Sequence, residues 1–123
     1  MSNNLSQTQS QVYVFNTTSM DLFVYINNYP VVLLRGFNTN EDVKYTPYGQ
    51  VVPHVKESDT GGFTDGINNL HIKANDGGVT YFNPFTLPAA AVTDNLILYI
   101  TFNELVIMNT DGFVLHVINK KAQ

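Results

Sequence analysis

Three histidines have the widest chemical range in this sequence, because imidazole acts as an acid, a base or a metal ligand near neutral pH. His71 and His116 fall inside segments with strand-like alternation, where a packing or surface role is expected. His54 follows Pro53 in a long irregular stretch and is the better candidate for binding, although an exposed loop histidine without a function fits it equally well. The sequence has no Gly-rich phosphate loop, nucleophile elbow, histidine pair at metal-ligand spacing or cysteine. We therefore predict that the protein is not an enzyme.

Carboxylate and amide side chains gather near the ends of the last apolar segments, at Asn103, Glu104, Asn109 and Asp111. Oxygen atoms of this kind are the ligands that calcium prefers in proteins. Asn and Asp also form hairpin turns without any metal. The pattern leaves both interpretations open.

Aromatic side chains in the irregular stretches offer flat faces that suit the apolar side of a sugar ring. They are Tyr45, Tyr48, Phe63, Tyr81 and Phe85. The alternative is that these rings fill the core beneath loops.

The charge content is low and restricts the classes of partner. Only 13% of the 123 residues are charged, against about 25% in an average protein, and the net charge is -4. Six Lys and Arg residues provide no basic surface for a phosphate backbone, so nucleic acid is excluded as a partner. The neutral polar surface favours sugars or copies of the same chain. No apolar run is long enough to span a bilayer, and residues 1–11 form a polar tail unlike a signal peptide. We expect cytoplasmic synthesis, with any release by a non-classical route.

The remainder of the chain, residues 12–123, has the pattern of one all-β domain. Apolar residues alternate or form short runs, with turn residues between them. The predicted strands cover residues 12–16, 21–27, 31–37, 70–74, 79–82, 95–102, 105–109 and 113–118. Residues 75–78 and 109–112 are predicted hairpin turns, residues 38–69 a long irregular stretch, and residues 83–91 a crossover between sheets. About eight short strands indicate a small antiparallel β-sandwich.

Several predicted strands are apolar on both faces. In residues 95–102, Leu98 and Ile100 alternate with Ile97 and Tyr99. One face forms the core, and the other requires a cover, which is either a long loop or a second copy of the chain. We therefore expect a homo-oligomer.

The chain resembles the small calcium-dependent galactose-binding lectins of the LecA (PA-IL) type. The matching segments are residues 31–37, 47–54, 85–88, 96–104 and 109–113. The chain departs from the family where calcium binds: Glu104 replaces an aspartate, Asn109 keeps one of two asparagines, and the loop between them is shorter. The family's loop tryptophan is absent, because the chain contains none.

The resemblance implies a jelly-roll-like sandwich, assembly into a small oligomer, and recognition of a galactoside through loops at one end. It places Tyr48, Pro53, His54 and Asn103 at the sugar, and Glu104, Asn109 and Asp111 at a calcium ion. The sequence thus predicts a carbohydrate-binding protein assisted by calcium. The alternative is a structural or self-assembling subunit that keeps this fold and has lost sugar binding.

Overall fold

The computed structural model describes residues 11–36, 49–55, 61–87 and 95–122. These residues form ten strands and no helix that could cross a membrane. The strands are β1 (Gln11–Asn16), β2 (Leu22–Ile26), β3 (Val32–Leu34), β4 (Gly49–Val55), β5 (Phe63–Thr64), β6 (Leu70–Ala74), β7 (Val79–Tyr81), β8 (Leu96–Ile100), β9 (Glu104–Asn109) and β10 (Val114–Asn119). Each of the eight predicted strands is present.

The ten strands form two sheets with the core between them. The larger sheet has the order β10-β9-β8-β1-β4-β5, and the smaller has the order β3-β2-β6-β7. Val14, Leu98 and Ile107 of the larger sheet share one buried cluster with Val24 and Ile72 of the smaller sheet. The predicted all-β sandwich is therefore confirmed.

The larger sheet is mixed rather than purely antiparallel, contrary to the prediction. β1 lies in its centre, antiparallel to β4 and parallel to β8. A parallel neighbour requires a long crossover. Here the chain between β1 and β8 includes all four strands of the smaller sheet.

The stretch 38–69, predicted to be irregular, contains β4 and β5. Its Pro53 and Gly49 resemble loop signals, because proline lacks a ladder donor and glycine weakens a strand. Pro53 sits opposite Gln11, the first residue of β1. Gly49 lies beneath the ring of Phe15, where an added Cβ would come within 2.5 Å of a ring carbon. The residues beside which Pro53 and Gly49 lie are therefore distant in the sequence.

The turns agree with the sequence. Residues 75–78 join the antiparallel pair β6 and β7, and residues 109–112 join β9 and β10. Gly77 and Gly112 have φ angles of 97° and 94°, which favour glycine. The connection after β7 leads from the smaller sheet to β8 in the larger, as predicted for a crossover.

Two buried asparagines fix the irregular backbone beside the strands. The Nδ2 of Asn16 donates to the carbonyl oxygens of Met20 and Leu34 at 2.8 and 3.1 Å, and its Oδ1 accepts from the N–H and hydroxyl of Thr18. The Oδ1 of Asn68 accepts from the backbone N–H of Thr64 at 2.8 Å. These bonds satisfy polar groups that cannot reach water.

Candidate interaction surface

The predicted sugar-binding residues do not form a loop site in the described chain. His54 lies in β4 and is 5% exposed, whereas the sequence placed it in a loop. Its neighbour Pro53 is half-buried on the opposite face of the same strand. Tyr48 lies outside the described residues. Pro53 and the start of β8 lie at the same end of the larger sheet, because both pair with the start of β1. Asn103 follows the end of β8 and therefore lies at the other end of this sheet.

Of the predicted calcium ligands, Glu104 is separated from Asn109 and Asp111, which share one turn. Glu104 begins β9 and Asn109 ends it, so their backbones are about 17 Å apart at roughly 3.4 Å per residue. The Oδ1 of Asn109 accepts hydrogen bonds from the backbone N–H groups of Asp111 and Phe113 at 3.0 and 2.9 Å. Asp111 is exposed in that turn. In the part of the chain that the structure describes, no group of three His, Cys, Asp or Glu residues has a metal-binding arrangement.

The aromatic candidates divide into core and surface residues. Phe63 and Phe85 are buried with their ring centroids 6.3 Å apart, so they fill the core. Tyr81 is 55% exposed on β7. Tyr45 and Tyr48 lie outside the described residues.

Tyr81 ends a row of three rings on the outer face of the smaller sheet. The ring of His71 stacks on that of Tyr25, with centroids 4.5 Å apart, and lies 4.7 Å from the ring of Tyr81. Burial lowers the pKa of His71 from its usual value of 6.5, because desolvation disfavours the imidazolium. A groove of about 470 Å³ adjoins Tyr81 and is lined also by Thr80, Lys120 and Lys121.

The outer face of the larger sheet carries two apolar rows that run across five strands. Residues paired between neighbouring strands lie on the same face. The first row is Val114, Met108, Ile97, Tyr13 and Val51; the second is Val117, Val106, Tyr99, Phe15 and Gly49. At a strand spacing of about 4.8 Å, each row is about 20 Å long. We call these two rows the apolar face.

The side chains of the apolar face are held against one another, but three valines project into solvent. The rings of Phe15 and Tyr99 have centroids 5.6 Å apart. Val51, Val114 and Val117 are 44%, 57% and 44% exposed. Apolar side chains therefore remain accessible across the width of the sheet, although its other face already forms the core.

Polar residues bound the apolar face along the strand direction. Glu104 and Asn119 pair with each other beyond the second row. Gln11 and Asn95 lie beyond the first row, joined by a 3.1 Å hydrogen bond from the Gln11 N–H to the Asn95 Oδ1. An apolar centre with a polar rim is typical of protein interfaces. Glu104, predicted to be a calcium ligand, thus lies at this rim.

Part of the apolar face was visible in the sequence. Ile97 and Tyr99 belong to a strand that is apolar on both faces, and Tyr13 and Phe15 alternate with Val12 and Val14 in the same way. Val51 gave no such signal, because its neighbours resembled a loop.

Comparison with models of known protein families finds no family that matches this chain. Comparison with curated proteins finds no matching relative. The resemblance to the lectins remains a prediction.

Proposed function

We propose that this protein is a self-assembling subunit, which associates with copies of itself through the apolar face. The observation that carries the proposal is the pair of apolar rows on the sheet face that points away from the core. Burying such a surface is favourable by about 25 cal/mol per Å². Two sheets that pack face to face lie about 10 Å apart, close enough for these side chains to interdigitate.

The low charge of the chain supports a second copy as the occupant. Both apolar rows are uncharged, so two copies of this surface meet without repulsion between like charges. A homodimer interface uses the same surface on both subunits, which must therefore be self-complementary. The rings of Tyr13, Phe15 and Tyr99 supply the large aromatic contacts that dominate the energetics of such interfaces.

Light scattering coupled to size-exclusion chromatography tests the proposal with two matched valines. Val51→Lys places a charge at the end of the first row, and Val79→Lys places the same charge on the outer face of the smaller sheet. These valines are 44% and 45% exposed, so the two substitutions impose similar costs on the isolated chain. We expect an assembly larger than one chain for the parent and for Val79→Lys, and a smaller assembly for Val51→Lys. A monomeric parent at micromolar concentration would contradict the proposal.

We propose carbohydrate binding as a second function, on the observation that Tyr81 exposes its ring beside a polar groove. Its exposed ring offers a surface for the apolar side of a sugar. Thr80, Lys120 and Lys121 provide hydrogen-bond donors around it. This site replaces the predicted loop site, whose described residues the fold separates.

Calorimetric titration with galactosides, in calcium and in chelator, tests the second function. Tyr81→Ala removes the exposed ring and is expected to abolish binding, whereas Phe113→Ala, at an exposed aromatic residue at the opposite end of β10 from Lys120, leaves it intact. Failure of the parent to bind any sugar on a glycan array, with and without calcium, would rule this function out.

A further inference from the structure

β10 has a free edge at the end of the larger sheet. It pairs with β9 on one side, and among the described residues no strand pairs with its other side. Beyond Ile118 the outer side is occupied, because the carbonyl oxygen of Asn119 accepts a 3.0 Å hydrogen bond from the N–H of Asn83. The N–H and the carbonyl oxygen of Phe113 already bond to Asn109, so the unused backbone donors and acceptors of this edge lie within residues 114–117.

This edge lacks the charges and prolines by which proteins commonly prevent strands from pairing. Residues 113–118 contain no Lys, Arg, Asp, Glu or Pro, although charges and prolines are the usual protection of exposed edges. Phe113 and Leu115 are 67% and 41% exposed, in addition to Val114 and Val117. Of the other sheet edges, β3 and β5 are only three and two residues long. The edge at β7 is partly occupied, because the carbonyl oxygen of Tyr81 accepts a hydrogen bond from the N–H of Lys121.

We propose that β10 pairs antiparallel with β10 of a second copy of this chain, so that two six-stranded sheets join edge to edge about a two-fold axis. This inference rests on the proposed self-assembly and specifies one of its contacts. In antiparallel pairing about a two-fold axis, the same strand edge of each copy binds the same edge of the other copy.

The length of the free edge determines the register. If residues 114–117 pair symmetrically with the same residues of the second copy, Val114 lies opposite its Val117, and the flanking Phe113 lies opposite its Ile118. A β-bulge between Val114 and His116 allows Val114 and Val117 to share the outer face, although they are three positions apart. The register therefore places outer-face residues opposite outer-face residues.

The same register makes the two surfaces complementary. The first apolar row, which ends at Val114, continues into the second row of the other copy, which begins at Val117, so the apolar face runs uninterrupted across both molecules. Asp111 and Lys120 flank the free edge. The pairing brings the Asp111 carboxylate to the same end of the ribbon as the Lys120 ammonium of the second copy, and this occurs twice by symmetry.

Disulfide trapping tests the register directly, because the chain contains no cysteine. Val114→Cys and Val117→Cys chains, refolded together from urea and oxidised, are expected to form a disulfide-linked heterodimer. Each variant alone is expected to form at least about tenfold less, because identical positions lie roughly 10 Å apart along the ribbon and disulfides require Cα atoms within about 7 Å. Val79→Cys with Val117→Cys is the control for random collision.

The outcomes separate this inference from the proposed function. An assembled parent whose Val114→Cys and Val117→Cys chains yield no more heterodimer than the collision control overturns the β10 pairing and leaves self-assembly standing. A monomeric parent overturns both. Val117→Lys tests both contacts at once, because Val117 belongs to the apolar face as well as to β10: it is expected to reduce the mass of the assembly, while Val79→Lys, at a valine of nearly equal exposure on another edge strand, does not.

Discussion

Asn16 shows how one side chain holds together backbone that has left the sheet. Its amide bonds to the carbonyl oxygens of Met20 and Leu34 and to Thr18, and the Asn16 side chain itself is fully buried. A buried polar group without a partner costs about 1–3 kcal/mol, so a side chain that serves several such groups at once has a large effect on stability.

Asn16→Ala is therefore expected to lower the free energy of unfolding by about 2–3 kcal/mol. The cause is the loss of four hydrogen bonds, which removes the bonds of Asn16 to the Leu34 carbonyl and the Thr18 N–H, whereas the Met20 carbonyl keeps its bond from the Thr18 hydroxyl. Urea denaturation monitored by tyrosine fluorescence measures the change. Asn95→Ala removes a single exposed bond to Gln11 and serves as the control, with an expected loss below about 1 kcal/mol. Equal losses in the two variants would contradict this account of Asn16.

His71 makes stability depend on pH. Its pKa is lowered by burial, so the unfolded chain takes up a proton more readily than the folded chain. The contribution of His71 to the free energy of unfolding is therefore fully present above the usual histidine pKa. It is lost as the pH falls through that value toward the lower pKa of the folded chain.

Thermal denaturation between pH 8 and pH 5 tests this dependence. His71→Gln is expected to show a smaller fall in melting temperature than the parent over this range, because it removes the proton uptake on unfolding. Lys73→Gln lies on the same face of the same strand and is expected to retain the parent's fall. Identical pH profiles for His71→Gln and the parent would show that this histidine is not responsible.

At the scale of elements, the β9–β10 hairpin is formed by turn chemistry. Asn109 ends β9, its side chain accepts two backbone N–H groups of the turn, and Gly112 has a φ of 94°. The Oδ1 of Asn109 thus already accepts two hydrogen bonds, which favours a turn role for Asn109 over a role as a metal ligand.

Asn109→Ala is expected to lower the free energy of unfolding by about 1 kcal/mol, because the two N–H groups lose their acceptor in an exposed turn. The loss is expected to be the same in calcium and in chelator. Thr110→Ala, at the next turn position, is the control. A melting temperature raised by calcium in the parent and not in Asn109→Ala would instead establish Asn109 as a ligand.

The elements that were predictable are those specified by local pattern. β8 and β10 follow from short apolar runs, and the hairpins follow from Asn, Asp and Gly at the turns. β4 was missed because Pro53 and Gly49 are compatible with a strand only beside Gln11 and Phe15, which are distant in sequence. A related effect separates two of the predicted metal ligands: Glu104 and Asn109 are close in sequence but lie at opposite ends of β9, because the residues between them form an extended strand.

At the scale of the whole molecule, the sandwich has more apolar surface than one core uses. The larger sheet is apolar on both faces over much of β1, β8 and β9, and its last strand exposes Phe113 and Leu115 beside the apolar face. Typical interfaces bury about 800 Å² on each partner. The apolar face and the β10 edge supply the apolar side chains for the centres of such interfaces.

Self-assembly links the stability of the folded chain to the protein concentration. Because assembly favours the folded chain by mass action, each tenfold increase in protein concentration is expected to raise the parent's melting temperature by about 2–4 °C. Val51→Lys weakens the association and is expected to show a smaller rise, whereas Val79→Lys rises as the parent does. Differential scanning calorimetry at three concentrations measures these slopes. Since burial of uncharged side chains drives the association, the rise should persist in 0.5 M sodium chloride, and its loss in salt would indicate that charges hold the assembly together.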